Sequence, residues 1–124
     1  MAYIFYNPNP KHKRDGDCTI RAISKALDQD WDTTFIGIVI EAFEEKDMPS
    51  GNHVWGEYLK RHGFTRHMVE EYQTVEEFAR SHPIGRYILC LNNHVVSVVD
   101  ENWFDTFDSA HEIPIYYWKR NKEE

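Results

Sequence analysis

No run of apolar residues in this sequence is long enough to span a bilayer. The opening segment, MAYIFYNPNPKHKR, carries its charge after its apolar residues and lacks the apolar centre of a signal peptide. The expectation is a cytoplasmic protein with no membrane partner. Cysteine is scarce: Cys18 and Cys90 cannot make a disulfide framework, and in a reducing compartment a bridge between them is not expected. Positive charge is short as well, with 14 Lys and Arg against 21 Asp and Glu, a net charge of −7. A phosphate backbone attracts cationic surfaces, so nucleic acid is not an expected partner. The local exception is KHKR, Lys11 to Arg14, which reads as a solvated loop or as a support for a thiolate or an acidic substrate. Paired metal-ligand spacings are also missing. The seven histidines are scattered, Cys90 and His94 stand four positions apart, and no C-x-x-C or H-x-x-x-H occurs. Closed metal sites show such pairs, so neither a metal nor another cofactor is expected.

What is present is enough for one compact domain, residues 1–124. Aromatic residues are 15% of the chain and gather near its ends, in YIFY and IPIYYW. AYIFYN reads as a short strand or extended arm. Apolar spacing predicts helices over Cys18–Leu27 and Trp31–Lys46, the second with Trp31, Phe35, Ile38, Val39, Ala42 and Phe43 on its inner face. Asn52 is placed to cap a third helix in HVWGEYLKRHG, ended by Gly63. FTRHMVEEY is ambiguous and compatible with a strand. In TVEEFARSHP, Thr74 and Glu77 have capping-box spacing, with Val75, Phe78 and Ala79 as the apolar face. Beyond Pro83 and Gly85 the character changes. RYILCLN, HVVSVVD, NWFDTF and EIPIYYWKR are rich in β-branched and aromatic residues and separated by turn signals. The pattern is α+β, with N-terminal helices packed on a C-terminal antiparallel sheet.

The segment DGDCTIRAISKAL puts a cysteine where a helix should begin, after Gly16 and an N-cap at Asp17. In a first turn, free backbone N–H groups and the helix dipole favour a thiolate. A cysteine nucleophile needs a base, and the base needs a group to orient it. His94 opens HVVSVVD and is the candidate base. If Asp100 and Glu101 form a two-residue turn, Val99 faces Asn102, Ser97 faces Phe104 and Val96 faces Asp105. His94 then lies opposite Phe107, with Asp105 on the diagonal. Asp105 is the first choice for the third member; one more loop residue would substitute Asp108. For the developing oxyanion, the Cys18 N–H is the natural first donor, and His12, Asn9 and Asn7 are candidates for the second. Cys90, among large apolar neighbours, reads as an inert buried thiol. Trp55 and Trp103 read as core in preference to walls of a site.

These residues resemble the papain-like cysteine peptidase superfamily in chain order Cys, His, Asp, in a cysteine opening the first long helix, and in histidine and acid on adjacent strands. More closely, GDCTIRAISKAL, VWGEYLKRHGF, HVVSVVD, DTFDS and YYW look like a group of small papain-like proteins of bacteria and their phages. The resemblance implies a papain-like fold, with Cys18 as nucleophile, His94 as base and Asp105 as orienting acid. Papain-type enzymes place a glutamine upstream of the cysteine as an oxyanion donor. Here the only glutamines, Gln29 and Gln73, follow it. The expected function is a cysteine-dependent hydrolase or acyltransferase that cleaves a peptide, isopeptide or other amide bond through a Cys18 thioester. Its substrate would be a peptide or protein, met as a small or extended amide because no second large lobe is available to form a deep cleft. The alternative is a catalytically silent papain-like protein that binds a partner protein, as a phage or mobile-element factor would.

Overall fold

The computed structural model describes residues 1–121. In chain order the elements are β1 (Tyr3–Phe5), α1 (Cys18–Leu27), α2 (Trp31–Glu45), α3 (Asn52–Arg61), β2 (Phe64–Met68), α4 (Val75–Ser81), β3 (Arg86–Leu91), β4 (His94–Val99), β5 (Asn102–Asp105) and β6 (Tyr116–Arg120). The architecture is mixed α+β, with one six-stranded sheet in the order β1-β5-β4-β3-β6-β2. The sheet is neither wholly C-terminal nor wholly antiparallel. β2 precedes α4 and borders β6, and β1 runs parallel to β5. Both edge strands close through long-range pairings, which short-range patterning does not encode.

Side chains alternate along the strands and so feed two cores. Ile88, Cys90 and Trp118 pack with Ile23, Ile38, Val54, Trp55 and Leu59 beneath α1, α2 and α3. Tyr87, Leu89, Leu91, Val96, Val98 and Trp103 pack on the opposite side with Val75, Phe78 and Ala79 of α4. The α4 capping box forms as its spacing requires, with Glu77 N–H donating to Thr74 Oγ1 at 3.1 Å and Thr74 N–H donating to Glu77 Oε1 at 2.9 Å.

Two helices differ from their sequence patterns. Asn52 does not cap α3; it is the first helical residue, Gly51 takes the cap position, and Asn52 Oδ1 accepts from Trp55 Nε1 at 3.2 Å. The inner face of α2 is Thr34, Ile38, Glu41 and Ala42. Thr34 accepts from Ser24 Oγ at 2.8 Å, and Glu41 takes Arg61 Nε at 2.7 Å. Phe35, Val39 and Phe43, expected inside, are exposed together with Ile36 and Ile40. α2 is apolar around most of its circumference, so periodicity does not fix its rotation. The two satisfied polar side chains do. Ile38→Ala is therefore expected to cost about 2–5 kcal/mol in a denaturant titration, and Phe43→Ser less than about 0.5 kcal/mol. Equal losses would mean that α2 is rotated otherwise.

Candidate active site

Helix α1 delivers Cys18 to the end of the sheet where β4 begins and β5 ends. Asp17 occupies the N-cap position, but its side chain makes no cap hydrogen bond. The Cys18 sulfur lies within hydrogen-bonding reach of the His94 ring and of the Val95 backbone N–H. Asp100 and Glu101 form a two-residue turn with positive φ of 48° and 78°. Such a turn matches the twist of the flanking strands. It sets Val99 opposite Asn102, Val98 opposite Trp103 and Ser97 opposite Phe104, the expected register. The β4–β5 ladder stops there, so His94 and Asp105 are free of ideal strand spacing. The diagonal closes, with His94 Nε2 to Asp105 Oδ2 at 2.7 Å. The Phe107 ring packs on the His94 ring, centroids 4.9 Å apart. Asp108 is elsewhere. It accepts from Trp103 Nε1 at 2.9 Å and from the Ala110 N–H at 3.0 Å.

Asp105 is 2% exposed, and both of its oxygens are held. Oδ2 also accepts from Ser109 Oγ at 3.0 Å, and Oδ1 accepts from the Thr106 N–H at 2.8 Å. Its backbone carbonyl takes the Tyr6 N–H at 2.9 Å and Tyr3 Oη at 3.2 Å, which explains what the N-terminal strand contributes to this end of the sheet.

A second buried layer lies behind, and the sequence patterns did not disclose it. Arg21, one turn into α1 and 4% exposed, bonds Asp17 Oδ1 through Nη1 and reaches Asp105 Oδ1 through Nη2 at 3.7 Å. Asp17 Oδ2 accepts from Asn9 Nδ2 at 3.1 Å and from Trp31 Nε1 at 2.9 Å. Asp17 thus acts as a buried counter-ion, and Asn9 is committed to it. A buried guanidinium between two carboxylates is tolerable only with its partners in place. The local cue was an arginine three residues after a first-turn cysteine, on a helix whose other buried residues are apolar apart from Ser24.

The electrostatics at the sulfur balance opposing effects. Burial alone would raise the Cys18 pKa. The His94 hydrogen bond and charge, the Val95 N–H and Arg21 outweigh it, and the net shift is downward. For His94, burial acts to lower the pKa, but the bonds to Asp105 and Cys18 dominate and carry it up to about 9. Cys90 is 4% exposed, and burial pushes its thiol up to about 12 despite a hydrogen bond with Tyr116. Both cysteines are free. Asymmetry between the two thiols is what separates a reactive position from an inert one.

Two cavities meet at the sulfur. One of about 460 Å³ is lined by Arg14, Gly16, Cys18, Asn93, His94 and Phe107, so the end of the KHKR run does reach the site. Another of about 220 Å³ is lined by Cys18, Asn52, Trp55, Cys90, His94 and Tyr116. Trp55 is both core and cavity wall, whereas Trp103 is core. None of His12, Asn9 and Asn7 lines either cavity. His12 is exposed in a left-handed turn, and Asn7 Nδ2 donates to the Lys13 carbonyl at 3.1 Å. The side-chain amides that do line a cavity at Cys18 are Asn52 and Asn93. An indole N–H can only donate, so the Asn52 oxygen must face Trp55 and its Nδ2 is left as a donor.

The chain matches no family model, no curated protein and no solved structure. Among the described residues, no group of three His, Cys, Asp or Glu side chains is arranged to hold a metal ion, and no helix is long and apolar enough to cross a membrane.

Proposed function

We propose that this protein is a cysteine-dependent hydrolase or acyltransferase on a papain-like scaffold, acting on a peptide, isopeptide or other amide bond. The observation that carries this reading is the His94 ring, bonded to Asp105 at 2.7 Å through Nε2 and within hydrogen-bonding reach of the Cys18 sulfur. Asp105 fixes the ring and its tautomer, leaving the other nitrogen for the sulfur. The Cys18 thiolate adds to the amide carbonyl carbon, and the oxygen takes the negative charge. The Cys18 backbone N–H and Asn52 Nδ2 are the donors proposed to stabilise it. Imidazolium His94 then protonates the departing nitrogen, the C–N bond breaks, and a Cys18 thioester remains. Water, or an acceptor amine, gives a proton to His94 and attacks the thioester, returning the thiolate.

The test needs no knowledge of the natural substrate. Incubation with p-nitrophenyl acetate is expected to release p-nitrophenol and add one acetyl group, located on Cys18 by peptide mass mapping. His94→Ala should slow acylation by about 10²-fold or more. Acetylation of surface lysines only, at a rate unchanged in Cys18→Ala, would refute the reading. The exposed face of Phe35, Ile36, Val39, Ile40 and Phe43 on α2 favours a second reading, a silent scaffold that binds a partner protein. Absence of Cys18 acylation would leave that one standing.

A further inference from the structure

A third cavity, of about 310 Å³, lies between α3 and the β2–β6 edge of the sheet. It shares Asn52 and Tyr116 as walls with the smaller cavity at Cys18, so the two are neighbours along one surface. Its floor is Trp118, which is 3% exposed. The ring edge packs against Gly56, where a Cβ would come within 3.1 Å of the indole. The Trp118 Nε1–H is buried and has no hydrogen-bond partner. A buried indole donor normally finds an acceptor, and an orphan one costs free energy comparable to a lost hydrogen bond.

The charged groups around this cavity are unequally paired. Lys60 Nζ is bound to Glu57 at 3.1 Å, and His53 Nε2 to Glu45 at 2.6 Å. Arg66 has no carboxylate partner among the described residues. Its guanidinium lies over the Tyr116 ring, 4.1 Å from the centroid. That stacking, with a hydrogen bond from Arg66 to the Tyr116 hydroxyl, holds the cation at the cavity, and the other N–H groups of the guanidinium have no carboxylate to bind among the described residues. The Tyr116 hydroxyl is engaged with both Cys90 and Arg66. The charge left unmet by this lining is thus that of the Arg66 guanidinium, and Trp118, another lining residue, holds a buried indole N–H with no acceptor; both groups can only donate.

We infer that this cavity binds a carboxylate and is the specificity pocket of the Cys18 site, selecting substrates that carry an acidic side chain or a free carboxyl terminus near the bond attacked. The specificity role rests on the function proposed above; carboxylate binding does not. The net charge of −7 makes the selection local, because the whole-protein field repels anions and attraction falls to nearby cations, Arg66 at this cavity and Arg14 at the one beside Cys18.

The experiment reads binding without turnover. Uniformly ¹⁵N-labelled wild-type protein is titrated separately with N-acetylglutamate α-amide, which has a side-chain carboxylate only, with N-acetylalanine, which has a terminal one only, and with neutral N-acetylglutamine α-amide. The Trp118 indole N–H resonance is assigned by its loss in Trp118→Phe. A carboxylate probe should move that resonance in a saturable manner and the glutamine probe should not; which carboxylate binds better identifies the source. Arg66→Gln, at an exposed strand position, should weaken binding ten-fold or more while leaving the spectrum of the free protein otherwise unchanged. The inference is overturned if neither carboxylate moves the resonance, if the neutral probe does so equally, or if Arg66→Gln binds as well as wild type. A positive titration without Cys18 acylation would retain the carboxylate site and remove its role in catalysis. Acylation with a negative titration would do the reverse.

Discussion

Replacing Arg21 with alanine is expected to lower the melting temperature by on the order of 10 °C or more. The side chain is 5% exposed and stands between the carboxylates of Asp17 and Asp105, themselves 9% and 2% exposed. Removing one partner of a buried ionic cluster leaves the others charged and desolvated, which costs about 3–5 kcal/mol. In a domain of this size each kcal/mol is worth several degrees. Arg21→Met keeps the aliphatic stem and should lose nearly as much, which would assign the loss to charge and not to packing. Adding Asp17→Asn to Arg21→Met should recover part of it, because one uncompensated carboxylate is then neutral. A change in Arg21→Ala within the range of surface substitutions, about 0.5 kcal/mol, would mean that the cluster is not buried as described.

The second large effect concerns the thiols. At neutral pH, iodoacetamide is expected to modify Cys18 and leave Cys90 untouched, since Cys90 is buried with its pKa pushed up to about 12. His94→Ala should slow Cys18 modification on the order of ten-fold or more, because burial then acts on the thiol without the hydrogen bond and charge that opposed it. Equal labelling of both cysteines, or no response to His94→Ala, would separate the sulfur from the ring.

Stability against pH should carry the same signature, with signs that partly cancel. The His94 pKa is raised above its ordinary 6.5 to about 9, so its contribution is complete below about pH 6.5 and is lost as pH rises through about 9. The Cys18 pKa is lowered from 9.0, so its contribution is complete above pH 9 and is lost as pH falls through the folded value. In the overlap the pair changes no net proton count on unfolding. Wild-type stability should therefore show little slope there from these two groups. In Cys18→Ser the compensating thiol is gone while Asp105 still favours imidazolium, so stability should decline from about pH 6.5 upward. Denaturant midpoints for the two proteins across this window check the difference. A decline equally steep in both would contradict the pairing.

Much of this site was legible in the chain because its determinants are local. DGDC announces a loop entering a helix, and the Asp100–Glu101 turn with its alternating flanks sets the register of β4 and β5. That register brings His94 near Asp105 while leaving Asp108 and Asp105 to be decided by the loop's length. The three upstream oxyanion candidates, His12, Asn9 and Asn7, line neither cavity at Cys18, and for Asn9 the reason is one that spacing cannot express. Asn9 is consumed by Asp17, whose role as a buried counter-ion depends on Arg21 being folded over it. Asparagine before an apolar stretch usually caps a helix; at Asn52, Trp55, one turn on, claims the side-chain oxygen instead. The rotation of α2 was illegible because Thr34 and Glu41, polar residues, are the ones buried. Their partners Ser24 and Arg61 come from other helices.

The most direct measurement is a titration of thiolate ultraviolet absorbance in the folded protein, with Cys18→Ser, Cys90→Ser and His94→Ala alongside. Wild type should show one thiol ionising below the ordinary value near 9, retained in Cys90→Ser, absent in Cys18→Ser and moved upward in His94→Ala. Two thiols ionising at or above that value, with no response to His94→Ala, would contradict a Cys18 sulfur held ionised by His94.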